Sequence, residues 1–414
     1  MPMTLDIDPL RLVDPAIYQR EGCPHELWTL LRAEAPVAYF EPPGYPPFWA
    51  ITKHSDIVEV ATQPLKFSSA KGITLDRNAE ATTKAVAGLE MIVFLDPPRH
   101  GPMRQVANRE FLRSAVRARF DDIGHIAAQI IDEASTGGDV ADCDFVSSFA
   151  GRLPLEVIAW VLGVPPEDWQ RLLSATDTII GKEDPEFRRA GETPGDAQRR
   201  AQIDMHRYFD RMVDDRRRNP RSDLVSLLVQ SEVEGEPLRH DQIIGYCELL
   251  VEAGNETTRD AIAGAMHSFC EYPDQWELLR RQPELLPDAV EEILRWVTPI
   301  NYFVRTATED YDLRGQVIRA GDKVVLFWGS GNRDEDVFER PFEFRIDRRP
   351  NQHLVFGFGP HLCMGAHLAR AEIENMFRIL STRMEWFEQA GPVERLYSSI
   401  NGAIKHLPIR YRLT

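Results

Sequence analysis

The most constraining feature of this 414-residue chain is a single cysteine, Cys363, in the glycine-rich loop that runs from Phe356 to Ala366. A helix-forming run, His367 to Glu372, follows directly. The loop therefore places the thiol just before a helix N-terminus, whose N–H groups favour negative charge. Thiolate is the form of cysteine that binds metals, and the glycines let the backbone approach a large, flat group. The pattern predicts a cysteinate that gives one axial ligand to haem iron and leaves the opposite face open.

Two other interpretations of Cys363 are open at this point. An isolated cysteine is most often a small buried hydrophobe. A zinc site formed by His361, Cys363 and His367 is also conceivable from the residue types. Zinc sites normally add a second Cys or His pair at short spacing, and the sequence near the loop has none. The spacing thus favours haem over zinc.

The loop resembles the haem-binding loop of the cytochrome P450 monooxygenases, whose pattern is F-G-x-G-x-H-x-C-x-G followed by a helix. Every fixed position of that pattern is filled here, with Met364 at a variable one. The resemblance covers nearly the whole chain. It implies a mainly α fold with small β-sheets, one large domain over residues 1–414 without a fused reductase, and haem b as the cofactor.

Charge limits the partners of the chain. Acidic residues number 65 against 48 basic ones, for a net charge of −17 at pH 7. We expect no nucleic-acid partner, because phosphate binding needs concentrated positive charge. The negative charge favours solubility, and an acidic redox protein would need a local basic patch on which to dock.

Cysteine usage and the N-terminus favour a cytoplasmic location without membrane attachment. The first 18 residues contain no apolar run long enough for a signal peptide or a membrane anchor. Five scattered cysteines fit a reducing cytosol better than a disulfide framework. These five are Cys23, Cys143, Cys247, Cys270 and Cys363.

Helical patterns dominate the chain. Helices are expected at about 25–34, 56–62, 98–111, 115–134, 144–162, from 167, 196–219, 240–271, 287–297, and from the cysteine loop to 383. Strands are expected at 48–51, 303–308, 311–313 and 323–328, with a strand-like stretch at 393–414. Ser55 is the expected N-cap of the second helix. Residues 67–95 predict a long loop, which in the P450 family lies over the substrate.

The longest predicted helix, 240–271, contains the sequence A-G-N-E-T-T from Ala253. Gly254 costs about 1 kcal/mol there relative to Ala. By resemblance this segment crosses the distal haem face, where Ala253 and Gly254 contact the cofactor, Thr257 hydrogen-bonds dioxygen or its water, and Glu256 relays protons. The open alternative is a helix whose threonine hydroxyls bond to its own carbonyls.

Glu292 and Arg295 form an E-x-x-R motif, whose spacing puts both side chains on one helix face. Taken alone the motif is weak, because such ion pairs are common. The P450 family buries this pair beneath the haem and closes it with an arginine that matches Arg348. Because breaking a buried pair costs about 3–5 kcal/mol, these three residues are assigned a structural role in holding the loop of Cys363.

A third constellation concerns the haem carboxylates. The segment from Asp96 resembles the family pattern D-P-P-x-H-x-x-x-R, with His100 and Arg104 on one helix face. Ordinary surface ion pairs are the alternative, and Pro102 in the first helical turn puts the position of His100 in question. The resemblance implies propionate binding by charge-assisted hydrogen bonds. The implied cofactor-binding residues are His100, Arg104, Arg305, His361, Phe356, Gly357, Ala253, Gly254 and Cys363.

The candidate pocket residues are inferred only from the positions that contact the substrate in the P450 family. The implied pocket residues are Val251, Ala253, Ile300, Tyr302, Phe303, Ile400 and Asn401. They are mainly apolar, which favours a hydrophobic small molecule. The sequences A-G-N-E-T-T-R and I-K-H-L-P resemble those of relatives that oxidise steroids, terpenoids or branched alkyl chains. The expectation is therefore hydroxylation of such a molecule.

The electrons must be supplied from outside the chain, because its sequence has no flavin module, no iron–sulfur module and no convincing dinucleotide fingerprint. The resemblance implies two electrons from NAD(P)H through a ferredoxin, or a flavodoxin, and its reductase. One alternative is a peroxygenase or isomerase on the same scaffold, against which the Glu256–Thr257 pair argues. A second alternative is a haem-binding sensor without turnover.

Overall fold

One 32-residue helix, His240–Glu271, organises the elements around it. In the computed structural model, which describes residues 7–75 and 89–414, this helix has the bounds that the sequence predicts. It ends at Tyr272 because that residue precedes Pro273, and a residue before proline is disfavoured in the α conformation. Gly264 lets the helix lie close to the helix that carries Val297, since a Cβ at this glycine would stand 2.7 Å from two Val297 methyl carbons.

The described residues form a mainly helical structure, as the sequence predicts. The helices are α1 (Pro15–Glu21), α2 (His25–Glu34), α3 (His54–Ala61), α4 (His100–Asn108), α5 (Arg113–Ala118), α6 (Phe120–Glu133), α7 (Arg152–Leu162), α8 (Trp169–Ile180), α9 (Pro194–Arg218), α10 (Leu224–Val229), α11 (His240–Glu271), α12 (Pro273–Arg281), α13 (Leu286–Val297), α14 (Trp328–Gly331) and α15 (Ala366–Arg383). Helix α11 packs against α7, α8, α9, α13 and α15.

The strands form small sheets beside the helices. They are β1 (Val37–Phe40), β2 (Phe48–Ile51), β3 (Phe67–Ser68), β4 (Val140–Asp144), β5 (Glu232–Val233), β6 (Glu236–Pro237), β7 (Tyr302–Ala307), β8 (Tyr311–Leu313), β9 (Gln316–Ile318), β10 (Lys323–Phe327), β11 (Met384–Gln389), β12 (Glu394–Arg395), β13 (Ile404–His406) and β14 (Pro408–Leu413). The largest sheet has the order β1-β2-β10-β7-β3, and a second has the order β11-β14-β4. Strand β10 lies parallel to β2 and antiparallel to β7, which sets Val324 opposite Arg305.

The structure corrects three predicted boundaries. The helix expected at 56–62 begins at His54 with Lys53 as its N-cap, so Ser55 is not the cap. The helix expected at 115–134 is interrupted at Arg119, between α5 and α6. The helix expected at 144–162 begins after Asp144, which ends strand β4, with a π-helical turn at Val146–Ala150, and its α-helical part starts at Arg152.

Other elements were missed by sequence reasoning. No element was predicted at helix α10, at helix α12, which starts at a proline, or at strand β11. Of the long loop expected at 67–95, residues 76–88 lie outside the described residues. Among the helices that the structure describes, none is long and apolar enough to cross a membrane.

Candidate active site

A cavity of about 1510 Å³, its solvent mouth included, brings most of the predicted site residues together. Its walls come from helix α11, the cysteine loop, the start of helices α4 and α15, and strand β7. The predicted cofactor residues that line it are His100, Arg104, Ala253, Gly254, Arg305, Phe356, Gly357, His361 and Cys363. Thr257 also lines it, together with Ile300 and Phe303 from the predicted pocket set. Elements far apart in the sequence thus converge on one chamber.

The cysteine loop is closed by its own backbone. The N–H of Cys363 donates to the carbonyl of Phe356 over 2.8 Å. Gly357 and Gly359 both have positive φ, at 71° and 72°, a conformation that favours glycine. A Cβ at Gly359 would in addition stand 2.5 Å from the carbonyl oxygen of Ala61. These two glycines therefore serve the fold of the loop itself, a reason that the sequence analysis did not give.

The thiol of Cys363 faces the cavity, and the residue is exposed. Desolvation by the surrounding atoms raises the pKa of the thiol, while the N–H of Gly365 and the guanidinium groups of Arg104 and Arg370 lower it by a smaller amount. The helix N-terminus at Ala366 thus does not by itself make the thiolate the ground state. A coordinated metal ion would do so, because a thiol that binds a metal is deprotonated.

One edge of the cavity carries cationic and imidazole groups. Arg104 donates to the carbonyl of Leu362 over 2.6 Å, and Arg305 donates to that of Val304 over 2.9 Å. Neither arginine has a carboxylate ion-pair partner among the described residues. Burial lowers the pKa of Arg305 to about 10. An arginine that burial destabilises in this way fits an anionic group from outside the chain.

Two histidines share this edge. The rings of His100 and His361 lie 4.1 Å apart, centroid to centroid. Burial lowers the pKa of both, that of His361 to about 3, which favours neutral imidazole rings. His100 is the first residue of α4 and lines the cavity, and Pro102 is accommodated in the first helical turn. The four groups at this edge, His100, Arg104, Arg305 and His361, therefore suit a cofactor that carries carboxylates, as haem does.

Thr257 and Glu256 occupy different surroundings on α11. Thr257 lines the cavity, and its hydroxyl donates to the carbonyl of Ala253 over 2.8 Å, as in the alternative interpretation of this motif. Glu256 is buried and does not line the cavity. Its carboxylate accepts a very short hydrogen bond from Arg259, one turn further along the helix. Gly254 lets α11 lie close to α7, since a Cβ there would stand 3.3 Å from Ile158.

Glu292, Arg295 and Arg348 form a buried ionic group that we call the support triad. Arg295 donates to both Glu292 oxygens, over 2.7 and 2.8 Å, and Arg348 donates to the same carboxylate over 3.0 Å. Arg295 also binds the carbonyls of Asn332 and Pro341, each over 2.9 Å. The triad joins α13 to the segment that precedes the cysteine loop.

Four of the predicted pocket residues lie away from the cavity. Val251 is fully buried in the main core, on a face of α11 turned from the chamber. Tyr302 precedes Phe303 on strand β7, and successive strand residues point to opposite faces. Phe303 therefore lines the cavity, while the Tyr302 hydroxyl lies 3.0 Å from that of Ser399. Asn401 pairs with Ile300 in an isolated β-bridge, and Ile400 packs against the core cluster that contains Tyr302.

Sequence reasoning missed several residues at the site. Ile73, Ile92 and Val93 line the cavity, yet they come from the aperiodic stretch that gave no pattern. The pair Glu256–Arg259 has the same spacing of three as Glu292–Arg295, so the sequence could have predicted this ion pair. The structure does not support the zinc interpretation. Residues 7–75 and 89–414 contain no group of three Cys, His, Asp or Glu side chains arranged to hold a metal.

Comparison with known proteins agrees with this geometry. The family model for cytochrome P450 matches residues 47–399. Linalool 8-monooxygenase of Pseudomonas putida is 35% identical over 96% of this chain and 98% of its own length. A steroid C26-monooxygenase of Mycobacterium tuberculosis is 36% identical over 96% and 92%. The crystal structure of CYP108D1 from Novosphingobium aromaticivorans covers all of both chains with a TM-score of 0.90 at 31% identity. The chain belongs to the cytochrome P450 family.

Proposed function

We propose that this P450 monooxygenase hydroxylates an uncharged hydrophobic molecule, using O₂ and two electrons from a separate redox protein. The observation that carries the proposal is the cavity, which joins a lone cysteine, a threonine on α11 and a carboxylate-binding edge within an otherwise apolar lining. Relatives over nearly the full length are named as monooxygenases. The proposal therefore rests both on membership of the P450 family and on the chemistry of the residues that line the cavity.

Cys363 is assigned as the residue whose thiolate would bind the haem iron. When bound, haem supplies the dioxygen chemistry, and the protein supplies position and protons. Arg104, Arg305, His100 and His361 are assigned to the propionates, which is supported by the buried cation of Arg305, for which the described residues supply no carboxylate ion pair. Phe356, Gly357, Ala253 and Gly254 line the cavity and would contact the bound macrocycle.

Thr257 and Glu256 are assigned to proton delivery. The Thr257 hydroxyl donates to Ala253 and keeps its oxygen lone pairs available to accept from water or ligand in the cavity. Burial raises the pKa of Glu256 well above its ordinary value, which favours a bound proton on this side chain. Glu256 must turn from Arg259 to give up that proton, and Thr257 is its neighbour on the cavity side. The pair thus delivers protons without opening the chamber to bulk water.

The substrate is assigned to the steroid, terpenoid or branched-alkyl type. Apart from the carboxylate-binding edge, the wall consists mainly of aliphatic and aromatic side chains, which favours an apolar ligand. Apolar residues that line the chamber include Ile73, Ile92, Val93, Leu249, Leu250, Ile300 and Phe303. Relatives are named for linalool and for steroid C26 oxidation, which agrees with this class.

The electron donor is assigned as a ferredoxin or flavodoxin, itself reduced by NAD(P)H through a reductase. The chain is strongly acidic, so an acidic donor needs a local basic surface. Arg109, Arg113 and Arg117 are exposed at spacings of four at the end of α4 and along α5. Helix α5 packs on α15, which begins three residues after Cys363. This basic surface therefore lies on the thiol side of the cavity.

Two measurements on the haem-loaded enzyme test the function. Steroid, terpenoid, fatty-acid and aromatic panels are titrated while the visible spectrum is recorded, and a low- to high-spin shift with one class identifies the substrate type. Turnover is then compared with a ferredoxin chain and with peroxide alone. Product that requires the redox chain supports the proposal. Equal product from peroxide alone would show a peroxygenase, and no product under any condition would show a haem-binding protein.

A further inference from the structure

A group of acidic side chains surrounds one buried arginine between α8 and α11. The Nη1 of Arg259 donates to Asp177 on α8 over 2.6 Å, and its Nη2 donates to Glu256. Its Nε lies 3.6 Å from a carboxylate oxygen of Asp260. One guanidinium thus holds three carboxyl groups, which we call, together with Arg259, the acid cluster.

The acid cluster has more acid than base. Asp260 has two buried carboxylate oxygens with no hydrogen-bond partner, which is costly for an ionised group. Burial raises the pKa of Asp260 to about 7 and that of Glu256 well above its ordinary value. Burial therefore favours protonated carboxyl groups in the cluster.

Among the residues that the structure describes, Arg259 is the only cation that forms an ion pair within the acid cluster. Asn255 donates to Thr176 over 3.2 Å and lies 3.5 Å from Glu256. One turn earlier on α11 stands Glu252, whose pKa burial raises to about 7. On the α7 side, the neighbour of the Arg259 side chain is Gly151, which carries no charge. Protonation of the carboxyl groups therefore reduces the excess negative charge of the cluster.

Exposure differs sharply within the acid cluster. The side chain of Asp177 is 19% exposed, whereas those of Glu256 and Asp260 are 2% and 1% exposed. Glu256 is followed by Thr257, which lines the cavity. The cluster therefore extends from solvent at Asp177 to Glu256, the chain neighbour of the cavity residue Thr257, and one guanidinium contacts both carboxyl groups.

We propose that Asp177 is the solvent-side positioning residue for proton transfer, taking protons from bulk water and passing them to Glu256, with Arg259 holding the two carboxyl groups together. In each transfer one O–H bond breaks and one forms, and no electron moves. A proton leaves water for Asp177, a proton passes from Asp177 to Glu256, and Glu256 gives a proton to the hydroxyl or water beside Thr257. The inference rests on the proton-delivering role proposed for Glu256.

The test uses the haem-loaded enzyme with its redox chain and compares Asp177→Asn with Asp177→Glu. Asp177→Asn cannot carry a proton, so turnover should fall by about tenfold or more and its solvent deuterium isotope effect should rise. Asp177→Glu should restore most of the rate. The affinity for a spin-shifting ligand should stay as in the wild type for both variants. Glu167→Gln, an exposed acid that precedes α8, is the matched control and should change nothing.

A second readout does not depend on turnover. The protonated carboxyl of Glu256 should give an infrared C=O band that is lost in Glu256→Gln and shifts after transfer to D₂O. Asp177→Asn should slow that shift. A structural ion pair alone would not alter an exchange rate at unchanged ligand affinity.

The outcomes separate this inference from the proposed function. If Glu256→Gln impairs turnover while Asp177→Asn leaves turnover, isotope effect and exchange unchanged, protons do not pass through Asp177. If Glu248→Gln, beside the exposed His206 on α9, slows exchange in place of Asp177→Asn, the solvent path lies there and the inference is overturned. If Glu256→Gln has no effect on turnover, the role of Glu256 itself is wrong.

Discussion

Two buried arginines near the cavity show how the same residue types acquire different roles. Arg295 in the support triad shares one glutamate with Arg348, and its remaining donors reach backbone carbonyls. Arg259 in the acid cluster faces three carboxyl groups, and two oxygens of Asp260 have no hydrogen-bond partner. The first group is fully hydrogen-bonded and can only hold its elements in place. In the second group burial raises the pKa values of Glu256 and Asp260, so this group can take up and release protons.

The largest expected effect is on the support triad. Glu292→Ala leaves Arg295 and Arg348 buried without their shared acid, which should lower the free energy of unfolding by about 3–5 kcal/mol. Urea unfolding of the haem-loaded enzyme measures this. Arg319→Ala, at an exposed pair with Asp310, is the control and should leave the transition midpoint unchanged. A loss below about 1 kcal/mol in Glu292→Ala would show that the triad is dispensable.

The pH dependence of stability should have opposite signs at Asp260 of the acid cluster and at Glu291, the neighbour of Glu292 in the support triad. Asp260 has a raised pKa of about 7, so between the unfolded pKa of about 3.9 and pH 7 the folded chain binds a proton that the unfolded chain has lost. Stability then falls as pH rises through this window, by about 1.4 kcal/mol per pH unit. Asp260→Asn should remove that slope when unfolding is measured at pH 5 and pH 7. An unchanged slope would mean that Asp260 is ionised in the fold.

Glu291, which pairs with Arg370 on α15, should give the opposite pH dependence of stability. Hydrogen bonds from Arg370 and His353 lower the pKa of Glu291 to about 2, below its unfolded value of about 4.3. The stability that Glu291 contributes is therefore present above that unfolded value and is lost as pH falls toward 2. Glu291→Gln should lose stability at pH 7 and little at pH 2.5. A loss of equal size at both pH values would contradict the ion-pair explanation.

The smallest effects concern two glycines on α11. Gly264→Ala places a methyl group 2.7 Å from two carbons of Val297, on the side of α13, and should cost about 1–3 kcal/mol by overpacking. Gly254→Ala meets Ile158 at 3.3 Å and also gains about 1 kcal/mol in helix propensity, so its net effect should be near zero. Thermal unfolding of the two variants measures both changes in stability. Equal losses would mean that the helix is held as tightly beside the cavity as it is against α13.

The sequence predicted those parts of the site that depend on local pattern. The cysteine loop, the bounds of α11 and the E-x-x-R pair are each contained in a few consecutive residues, and the structure places them as expected. Tyr302 was wrongly grouped with Phe303 because sequence proximity hides the alternation of a strand. The partner of Glu256 on α8 could not be predicted, because Asp177 lies 79 residues away and meets it only through packing.

Ligation by Cys363 is the claim on which the account depends, and the reduced carbonyl complex tests it most directly. The visible spectrum of the wild type is compared with that of Cys363→His in the same protein. We predict a Soret band for the wild type that lies clearly to the red of the histidine variant, as thiolate ligation requires. Coincident bands, or a wild-type protein that incorporates no haem, would contradict the account.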